Sequence, residues 1–327
     1  MSMKAKILEL LREKETYVSG QELCEQFGVS RTAVWKAIGQ LKKEGYVIEA
    51  VQNKGYHLVD QAEEVYNQAD IQSRLKTKWV GHPLLFFDSI DSTNIRAKLE
   101  AEQGAESGLL VVADQQTAGR GRRGRGWESP SGSNIYYTLM LKPDFNADCA
   151  PMLTLVMALA VAKGIRQTLG RGSEEGAAKV GIKWPNDLVL NRKKLCGILT
   201  ELEWEAESGE FSCVIIGAGI NVSQDEADFG PEVAPIAISL AQALGTAPDR
   251  TELAAQVIRS LNALYDDFPS QNAAYLECFR RDCLTVGNPI KVISGAGERI
   301  GTATGISDDF GLTVRWEDGS TETLTSG

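Results

Sequence analysis

The chain has 327 residues, of which 43% are hydrophobic and 24% charged. This composition is typical of a soluble globular protein with two or three domains. No run of about 18 apolar residues could span a membrane, and the N-terminus lacks the apolar core of a signal peptide, so we expect a cytoplasmic protein. The net charge of −10 argues against coating nucleic acid over the whole surface. Residues 1–60 nevertheless carry nine basic and eight acidic residues, and such a near-neutral module could bind DNA through one basic face.

Histidine and cysteine are used sparingly. The sequence has only two histidines, His57 and His82, which argues against a Ser-His-Asp triad and against a His-rich metal site. Six scattered cysteines form no C-x-x-C pair, so we predict neither a zinc site nor a disulfide framework and interpret them as small buried hydrophobes. Any chemistry must therefore use arginine, lysine, carboxylates and backbone donors.

Residues 1–60 have the pattern of a winged helix-turn-helix. Residues 4–13 place apolar side chains on one helical stripe, and residues 19–22 (SGQE) predict a capping box that opens a short helix ending at Phe27. Ser30 is placed to cap a third helix over 31–44, which Gly45 ends. The stretches YVIEAV and GYHLV then predict a hairpin, and a hairpin after a helix-turn-helix is the order of a winged helix.

The third helix is the candidate for DNA recognition. An alternative is that Trp35 belongs to the core, that the charges form a solvated face, and that the module binds only protein. The spacing favours one exposed face, and the candidate DNA-binding residues are Ser30, Arg31, Thr32, Trp35, Lys36 and, in the hairpin, Lys54.

The rest of the chain predicts an α+β fold. A polar connection over 60–72, for which a helix is one option, leads into a body with strands at LLFFDSI, GLLVVADQQ and NIYYTLMLKP, and with helices after residue 92, around 150–170 and over 249–268. Three β-rich segments at meander spacing (VGIKWPNDLVL, KKLCGILTELEWE, FSCVIIGAGINV) favour a mixed sheet over a doubly wound one. Short strands after residue 285 predict a small SH3-like β-barrel. We therefore expect domains at 1–60, 61–275 and 276–327.

The most informative stretch is GRGRRGRGW at 119–127, in which four arginines interleave with glycines. Glycines let backbone N–H groups approach an anion, and arginines supply forks that suit phosphate oxygens. The stretch predicts a mobile loop that closes on a phosphorylated or adenylated species. It also matches G-x-G-x-x-G, but WESPSGSN follows where a dinucleotide-binding motif requires a helix. The alternative is a solvated basic loop or a nonspecific RNA contact.

With Gln116 before this loop, KWPND at 183–187, STN at 92–94 and GAGINV at 217–222, the chain resembles the biotin–protein ligases. The resemblance covers essentially the whole chain. The N-terminal module makes it similar to the bifunctional ligases that also repress the biotin operon, and not to the short ligases that lack this module. Thr117 is a small departure, since the family often has a second polar residue after the glutamine.

The resemblance implies roles for individual residues. Ser92, Thr93, Asn94 and Gln116 would line the biotin site, where hydroxyl and amide groups meet the donors and acceptors of the ureido ring; alternatively, Ser92 is a plain helix N-cap. Arg120, Gly121 and Arg122 would hold the carboxylate and the adenylate phosphate. Lys183 would contact an adenylate oxygen and, with Arg122, is the catalytic candidate, although a strand lysine more often reaches out to solvent.

Further residues of the loops are also candidates for the site. Trp127 or Trp184 could cover the adenine, although tryptophan more often belongs to the core. Residues 222–235 could form a second lid that closes over the site, or an acidic surface loop with no role in it. The remaining adenylate-loop candidates are Gly119, Arg123, Gly124, Arg125, Trp127, Asn186 and Asn221.

The resemblance implies a two-step reaction. The biotin carboxylate attacks the α-phosphorus of ATP, with Mg²⁺ screening the phosphates, and a lysine of biotin carboxyl carrier protein then takes the biotinyl group. The sequence names no Mg²⁺ ligand. Further partners would be operator DNA and, when adenylate is bound, a second copy of the chain, with no membrane contact. Three alternatives stay open: a ligase whose winged helix does not bind DNA, a biotin-sensing regulator with an inactive ligase body, and a lipoate–protein ligase.

Overall fold

Three short helices and a hairpin form the N-terminal part of the protein. The computed structural model describes residues 1–14, 16–59, 64–145, 149–169, 180–205, 211–294 and 297–325. Helices α1 (Met3–Lys14), α2 (Gly20–Phe27) and α3 (Arg31–Lys43) pack with a hairpin of β1 (Ile48–Val51) and β2 (Gly55–Leu58) around one small apolar core. This is the predicted order of a winged helix.

Local capping explains why these helices begin and end where they do. Ser19 Oγ accepts the Glu22 N–H at 3.0 Å, Ser30 Oγ accepts the Ala33 N–H at 3.2 Å, and Gly28 ends α2 at a φ of +65°. The predicted capping box is only half formed, since the Glu22 carboxylate lies 3.3 Å from Lys14 Nζ instead. Helix α3 ends at Lys43, one residue before the expected Glu44.

Helix α4 (Gln68–Leu75) joins the winged helix to the body and confirms a helical connection; residues 60–63 of that connection lie outside the described ranges. Asp70 on α4 is 1% exposed and accepts from Arg12 of α1, while its other oxygen lies 3.1 Å from Arg74. Arg74 in turn donates to Asp249 at 2.8 Å. One buried carboxylate therefore connects a helix of the winged module to the body.

The body is built on a seven-stranded mixed sheet, as expected. Its strand order is β3-β4-β5-β9-β8-β7-β6, in which only β3 and β4 run parallel. The strands are β3 (Leu84–Phe87), β4 (Leu109–Ala113), β5 (Ile135–Leu141), β6 (Gly181–Lys183), β7 (Asp187–Leu190), β8 (Lys193–Trp204) and β9 (Phe211–Ile220).

Helices cover the two faces of this sheet unequally. On one face, α6 (Ala150–Leu169) and α9 (Arg250–Asp266) pack together over the largest apolar core. On the other face, the shorter α5 (Thr93–Glu102) covers β4, β5 and β9 over a smaller cluster that includes Ala97 and Met140. The ends of β8 and β9 beyond α5 stay open to the cavity described below.

Several local expectations need correction. The segment read as one β-rich stretch at 180–190 is two strands, β6 and β7, joined by a turn. The predicted acidic loop at 222–235 contains the helix α7 (Glu226–Val233), kinked at Gly230, and a short helix α8 (Leu240–Leu244) follows. Helix α10 (Asn272–Asp282) was not expected; it spans residue 275, and the domain boundaries stay a prediction.

The C-terminal part is a four-stranded antiparallel sheet in the simple order β10-β11-β12-β13. Its strands are β10 (Pro289–Ser294), β11 (Gly297–Ile306), β12 (Leu312–Trp316) and β13 (Thr321–Leu324). Phe310 of this sheet region packs edge-on against Phe279 of α10, with ring centroids 5.0 Å apart. The sheet is confirmed, and its closure into an SH3-like barrel stays a prediction.

Within the described ranges, no helix is long and apolar enough to cross a bilayer, and no three metal-binding side chains cluster. All six cysteines are unpaired. Cys196, Cys213 and Cys283 are buried as expected, while the other three are half-buried.

The position of Asp70 gives a first prediction. Asp70→Asn removes the charge that compensates two arginines, so it should lower the free energy of unfolding by about 3 kcal/mol in urea titration followed by circular dichroism. The matched control is Glu13→Gln, because Glu13 pairs with Lys76 across the same α1–α4 interface at 3.4 Å with both side chains more than half exposed. That change should cost less than about 1 kcal/mol. Equal losses in the two variants would contradict a special role for the buried carboxylate.

Candidate active site and DNA-binding surface

A cavity of about 280 Å³ lies between the open face of the sheet and the loop of residues 116–129, which we call the glycine–arginine loop. Nearly all the sequence-predicted site residues of the body meet here. The lining comprises Ser92, Thr93, Asn94, Gln116, Arg120, Gly121, Arg122, Arg123, Arg125, Gly126, Trp127, Lys183, Trp184, Pro185, Asn186, Asp187, Lys194, Gly197, Ile198, Leu199, Gly217, Ala218 and Gly219.

One wall of the cavity is a chain of side-chain hydrogen bonds at the start of α5. Gln116 Oε1 accepts both the backbone N–H and the hydroxyl of Thr93, at 2.9 and 3.0 Å, and its Nε2 donates to Ser129 Oγ at 3.0 Å. These contacts fix which end of the carboxamide is the acceptor. Ser92 is buried and is the N-cap residue, but its side chain makes no capping hydrogen bond.

The same wall continues down to the sheet through Asn94. Thr138 Oγ1 donates to Asn94 Oδ1 at 2.6 Å, and Asn94 Nδ2 donates to Glu201 at 2.8 Å. Lys98 contacts Glu201 at 3.0 Å and Glu203 at 2.7 Å. Burial alone would raise the pKa of Glu201, but the bonds from Asn94 and Lys98 hold that pKa below its ordinary value. Both polar atoms of Asn94 are thus engaged by the protein, which makes Asn94 a support of the wall.

Glycines form the floor of the cavity. Gly197 on β8 and Gly219 on β9 are directly paired, and the indole of Trp127 lies over both. A Cβ at Gly219 would be 2.7 Å from Trp127 Nε1, and one at Gly197 would be 2.9 Å from Cζ3 of the same ring. A Cβ at Gly217 would be 2.1 Å from Asn94 Oδ1. The floor therefore exists only because these positions carry no side chain.

The glycine–arginine loop folds as a narrow hairpin without an α-helix. Its sides are tied by the Trp127 N–H to the Gly119 carbonyl at 3.0 Å and by the Gly121 N–H to the Arg125 carbonyl at 2.7 Å. A three-residue 3₁₀ turn at Arg122–Gly124 forms the tip. The absence of a longer helix within this described loop agrees with the rejection of a dinucleotide-binding motif.

Arg122 is the arginine of the loop that is held in place. Its Nη1 donates to Asn186 Oδ1 at 3.1 Å, and Asn186 Nδ2 donates to the Ile198 carbonyl at 2.7 Å. Burial, with Arg123 nearby, lowers the pKa of Arg122. Arg120, Arg123 and Arg125 are exposed around it. The KWPND turn thus anchors the glycine–arginine loop through Asn186. This contact supports the expectation that the two motifs belong to one site.

Lys183, Trp184 and Asn221 are placed differently from one another. Lys183 ends β6 and lines the cavity, and its ammonium has neither a hydrogen bond nor an ion pair among the described residues. Trp184 is 6% exposed and its indole N–H donates to the Phe310 carbonyl at 2.9 Å, so it belongs to the core that joins the C-terminal sheet. Asn221 is buried outside the described cavity lining and donates to the Ile238 carbonyl at 3.2 Å.

The charge of the cavity is strongly positive although the whole chain is acidic. Six lysine or arginine side chains and one carboxylate, Asp187, belong to its described lining. In addition, the Trp127 indole N–H is buried without an acceptor among the described residues. An unpaired buried donor costs about 1–3 kcal/mol, so a ligand oxygen at this position would be favoured. The arrangement suits an elongated anion with one neutral, hydrogen-bonding end.

Sequence reasoning missed five contributors: Thr138, Glu201, Lys194, Gly197 and Gly219. The alternating glycines of GAGIN were a usable signal, because glycines two apart on a strand leave one face bare. Thr138, Glu201 and Lys194 gave no local signal, since strand pairing alone brings them to the site.

The predicted DNA-binding residues are all exposed on the winged module. Trp35 is 67% exposed, which excludes the alternative that it belongs to the core. Arg31, Thr32 and Lys36 are also exposed, whereas the hydroxyl of Ser30 is used to cap α3. A groove between α3 and the hairpin is lined by Arg31, Lys54 and residues 50–53.

Comparisons with known proteins agree with this arrangement. The profile of the Biotin/lipoate A/B protein ligase family matches residues 86–221, and that of the HTH domain matches residues 4–57. The chain is 37% identical to the Bifunctional ligase/repressor BirA of Bacillus subtilis (strain 168), over 97% of this chain and 95% of that protein. It is 34% identical to the protein of the same name from Escherichia coli (strain K12), over 96% and 92%.

Solved structures give the same result for the body. The biotin protein ligase from Aquifex aeolicus in complex with biotin and ATP matches with a TM-score of 0.63 and 28% identity, over 75% of this chain and 96% of that one. Sequence identity, family profiles and fold therefore agree, and the chain belongs to the biotin–protein ligases, in the bifunctional ligase/repressor family.

Proposed function

We propose that this protein is a biotin–[acetyl-CoA-carboxylase] ligase that also represses transcription. It makes biotinyl-5'-AMP from biotin and ATP, transfers biotin to a lysine of biotin carboxyl carrier protein, and binds operator DNA through its winged helix. The observation that carries the proposal is the cavity itself, which combines a fixed polar wall, a bare glycine floor and a cationic rim. The identity to bifunctional ligase/repressors over nearly the whole chain supports both activities.

Biotin binds at the end of the cavity formed by Ser92, Thr93 and Gln116. The Ser92 hydroxyl, which makes no capping bond, and the oriented Gln116 carboxamide supply the donors and acceptors that a ureido ring needs. Asn94 supports this wall and leaves the contacts with biotin to the other residues, because Thr138 and Glu201 occupy both ends of its amide. The Trp127 indole, which lies against the glycine floor, covers the apolar part of the ligand.

The carboxylate of biotin and the phosphates of ATP lie at the opposite end, among Arg120, Gly121, Arg122 and Lys183. Arg122 is pre-oriented by Asn186, so little conformational entropy is lost when it binds an anion. Lys183 supplies an uncompensated ammonium at the edge of the same space. Gly119, Arg123, Gly124 and Arg125 shape the loop around these groups, and Asn221 keeps only a supporting role.

The described cavity lining fits a Mg²⁺ that arrives with the nucleotide. Asp187 is its only carboxylate, and Mg²⁺ is commonly held by one or two carboxylates together with substrate phosphates. When bound, the ion would neutralise phosphate charge. Asp187 is the residue that would hold it.

The residues present can perform both half-reactions by positioning and charge stabilisation. A biotin carboxylate oxygen attacks the α-phosphorus of ATP and pyrophosphate leaves, with Arg122 and Lys183 stabilising the developing charge. The acceptor amine then attacks the carbonyl carbon of the mixed anhydride, and AMP leaves. Neither step requires a covalent enzyme intermediate.

Three further features are part of the proposal. The C-terminal sheet closes into a small SH3-like barrel, and the three predicted parts act as domains, with the second boundary moved from 275 to the end of α10. The protein works in the cytoplasm. Two copies associate when the adenylate is bound, and this places two winged helices on a palindromic operator.

The ligase proposal is tested with purified protein, biotin, ATP, Mg²⁺ and a biotin carboxyl carrier domain. The wild type should label one lysine of the carrier. Arg122→Gly should still activate biotin but release biotinyl-AMP at least about tenfold faster, because a charge-assisted contact to the anion is lost. Released adenylate should then label unrelated lysines, as detected by mass spectrometry. Arg192→Gly is the control, since Arg192 lies in an exposed turn outside the described cavity lining.

Absence of any carrier labelling by the wild type would remove the ligase proposal and leave a biotin-sensing regulator. Normal labelling combined with unchanged adenylate release by Arg122→Gly would show that only the role of this arginine is wrong.

The repressor proposal is tested with DNA selected by the wild type from a random pool. Trp35→Ala should weaken binding by about tenfold, because an exposed aromatic of the recognition helix is removed. Trp204→Ala, which removes an exposed tryptophan (55% exposed) from the body, should leave DNA binding unchanged. A non-hydrolysable adenylate analogue should increase both dimerisation, measured by sedimentation, and DNA affinity.

Failure to select any DNA would leave a ligase whose winged helix does not bind DNA. If the wild type selects DNA but the analogue changes neither sedimentation nor DNA affinity, only the proposal of adenylate-driven dimerisation is contradicted.

A further inference from the structure

Glu201 on β8 is a half-buried carboxylate that lies next to the polar wall of the cavity but outside its described lining. Side chains alternate along a strand, so Glu201 shares its face of the sheet with Gly197 and Leu199, which do line the cavity. Its partner on β9 is Ile215, which is fully buried in the small apolar cluster under α5. A carboxylate in such a place costs free energy unless charged or polar groups compensate it.

Two donors keep Glu201 ionised. Lys98 Nζ of α5 lies 3.0 Å from Glu201 Oε1, and Asn94 Nδ2 donates to Glu201 Oε2 at 2.8 Å. Burial opposes the charge, but these two contacts outweigh it and hold the pKa of Glu201 below its ordinary value. An ionised carboxylate can only accept hydrogen bonds. The side chain that faces it must therefore present a donor, which is the amide nitrogen of Asn94.

The charge of Glu201 fixes the orientation of the Asn94 amide. If the amide turned over, its Oδ1 would face the carboxylate, and two acceptors would repel each other. In the observed orientation, Asn94 Oδ1 accepts from Thr138 Oγ1 at 2.6 Å. Gly217 permits this arrangement, because a Cβ there would be 2.1 Å from Asn94 Oδ1. The negative charge thus selects one of two amide orientations that have the same shape.

Thr138 connects this orientation to the residues that face the ligand. Its hydroxyl lies 2.6 Å from Asn94 Oδ1 and 2.8 Å from Thr93 Oγ1, but it carries a single hydrogen. An acceptor at Asn94 draws that hydrogen away from Thr93, whereas a donor at Asn94 would leave it for Thr93. The Thr93 hydroxyl, which donates to Gln116 Oε1 at 3.0 Å, is therefore polarised differently in the two cases. The arrangement of donors and acceptors on the wall thus depends on the charge of Glu201.

We propose that Glu201 is a positioning residue for biotin, which fixes the hydrogen-bonding pattern of the polar wall through Asn94 and Thr138; this rests on the proposed function. A ureido ring has two N–H donors and one carbonyl acceptor, so a wall of fixed polarity distinguishes it from rings with another pattern. Glu201 is outside the described cavity lining and acts through Asn94. Its effect should therefore appear in the recognition of biotin and not in the binding of ATP.

The test compares Glu201→Gln, which keeps the shape of the side chain and removes its charge, with the control Glu203→Gln. Glu203 lies two residues farther along β8 and contacts the same Lys98 at 2.7 Å, but no hydrogen bond joins it to Asn94 in the described part of the chain. Direct titration gives the dissociation constants for biotin, for 2-iminobiotin and for ATP with Mg²⁺. In 2-iminobiotin, an imino group replaces the ureido oxygen, so a donor stands where biotin has an acceptor. Thermal unfolding reports whether each variant folds.

Glu201→Gln should weaken biotin binding by about tenfold, because the Asn94 amide can then adopt either orientation. It should also reduce the preference for biotin over 2-iminobiotin, while the affinity for ATP stays within about twofold of the wild type. Glu203→Gln should keep all three constants within about twofold. If Glu201→Gln leaves either the biotin affinity or the preference unchanged, the proposal is overturned. An equal effect of Glu203→Gln would overturn it as well.

Thr138→Val interrupts the same series of hydrogen bonds at the next residue, and it keeps the proposal testable should Glu201→Gln fail to fold. It should produce the same two losses. When both variants fold, the double variant should lose less than the product of the single losses, because both changes act on one network. A Thr138→Val protein with wild-type constants, or losses that simply multiply, would contradict the proposal. A wild type that binds no biotin would refute the proposed function, whereas wild-type binding with an unaffected Glu201→Gln would refute only the role of Glu201.

Discussion

The absence of side chains at three paired strand positions is the constraint on which the site depends. Gly197, Gly217 and Gly219 lie on neighbouring strands, and a Cβ at any of them would come within 3 Å of Trp127 or Asn94. The missing side chains let the Trp127 ring approach Gly197 and Gly219 and let the Asn94 amide approach Gly217. Helix α5 covers only part of this face of the sheet. The same strands can therefore pack against the apolar core on one face and form the floor of the cavity on the other.

Charge is distributed unevenly around that floor. Thr93, Gln116 and Ser129 form a neutral wall at one end, while arginines and lysines gather at the other, so a single ligand can be recognised by both. A second set of charges involves Arg250, which is buried and contacts Asp114 at 2.9 Å and Glu64, in the connection to the winged helix, at 2.6 Å. Asp114 follows β4 and directly precedes the glutamines that lead into the glycine–arginine loop. The site and the connection to the winged helix therefore share an ionic contact.

Much of this was predictable from the sequence, because local signals determine it. Caps at Ser19 and Ser30 and the mixed sheet followed from short patterns. The joining of STN, the glycine–arginine loop and KWPND in one cavity followed from the resemblance of these motifs to the biotin–protein ligases. What could not be predicted depends on pairing between distant strands. The contact of Asn94 with Glu201 spans 107 positions, and the bulge at Leu195 becomes apparent only when β7 and β8 are aligned. Helix α7 escaped prediction because the acidic stretch 222–235 was interpreted as a loop, whereas its capping box at Asp225 and Asp228 stabilises the helix start.

The central claim is that the glycine floor under Trp127 is part of the biotin site. The most direct measurement is the affinity for biotin of Gly219→Ala, titrated beside Gly305→Ala, since a Cβ at Gly305 meets nothing within 4 Å. Overpacking costs about 1–3 kcal/mol, so displacement of the indole should weaken biotin binding by about tenfold in Gly219→Ala, while the control keeps wild-type affinity. Wild-type affinity in a folded Gly219→Ala protein would contradict the account.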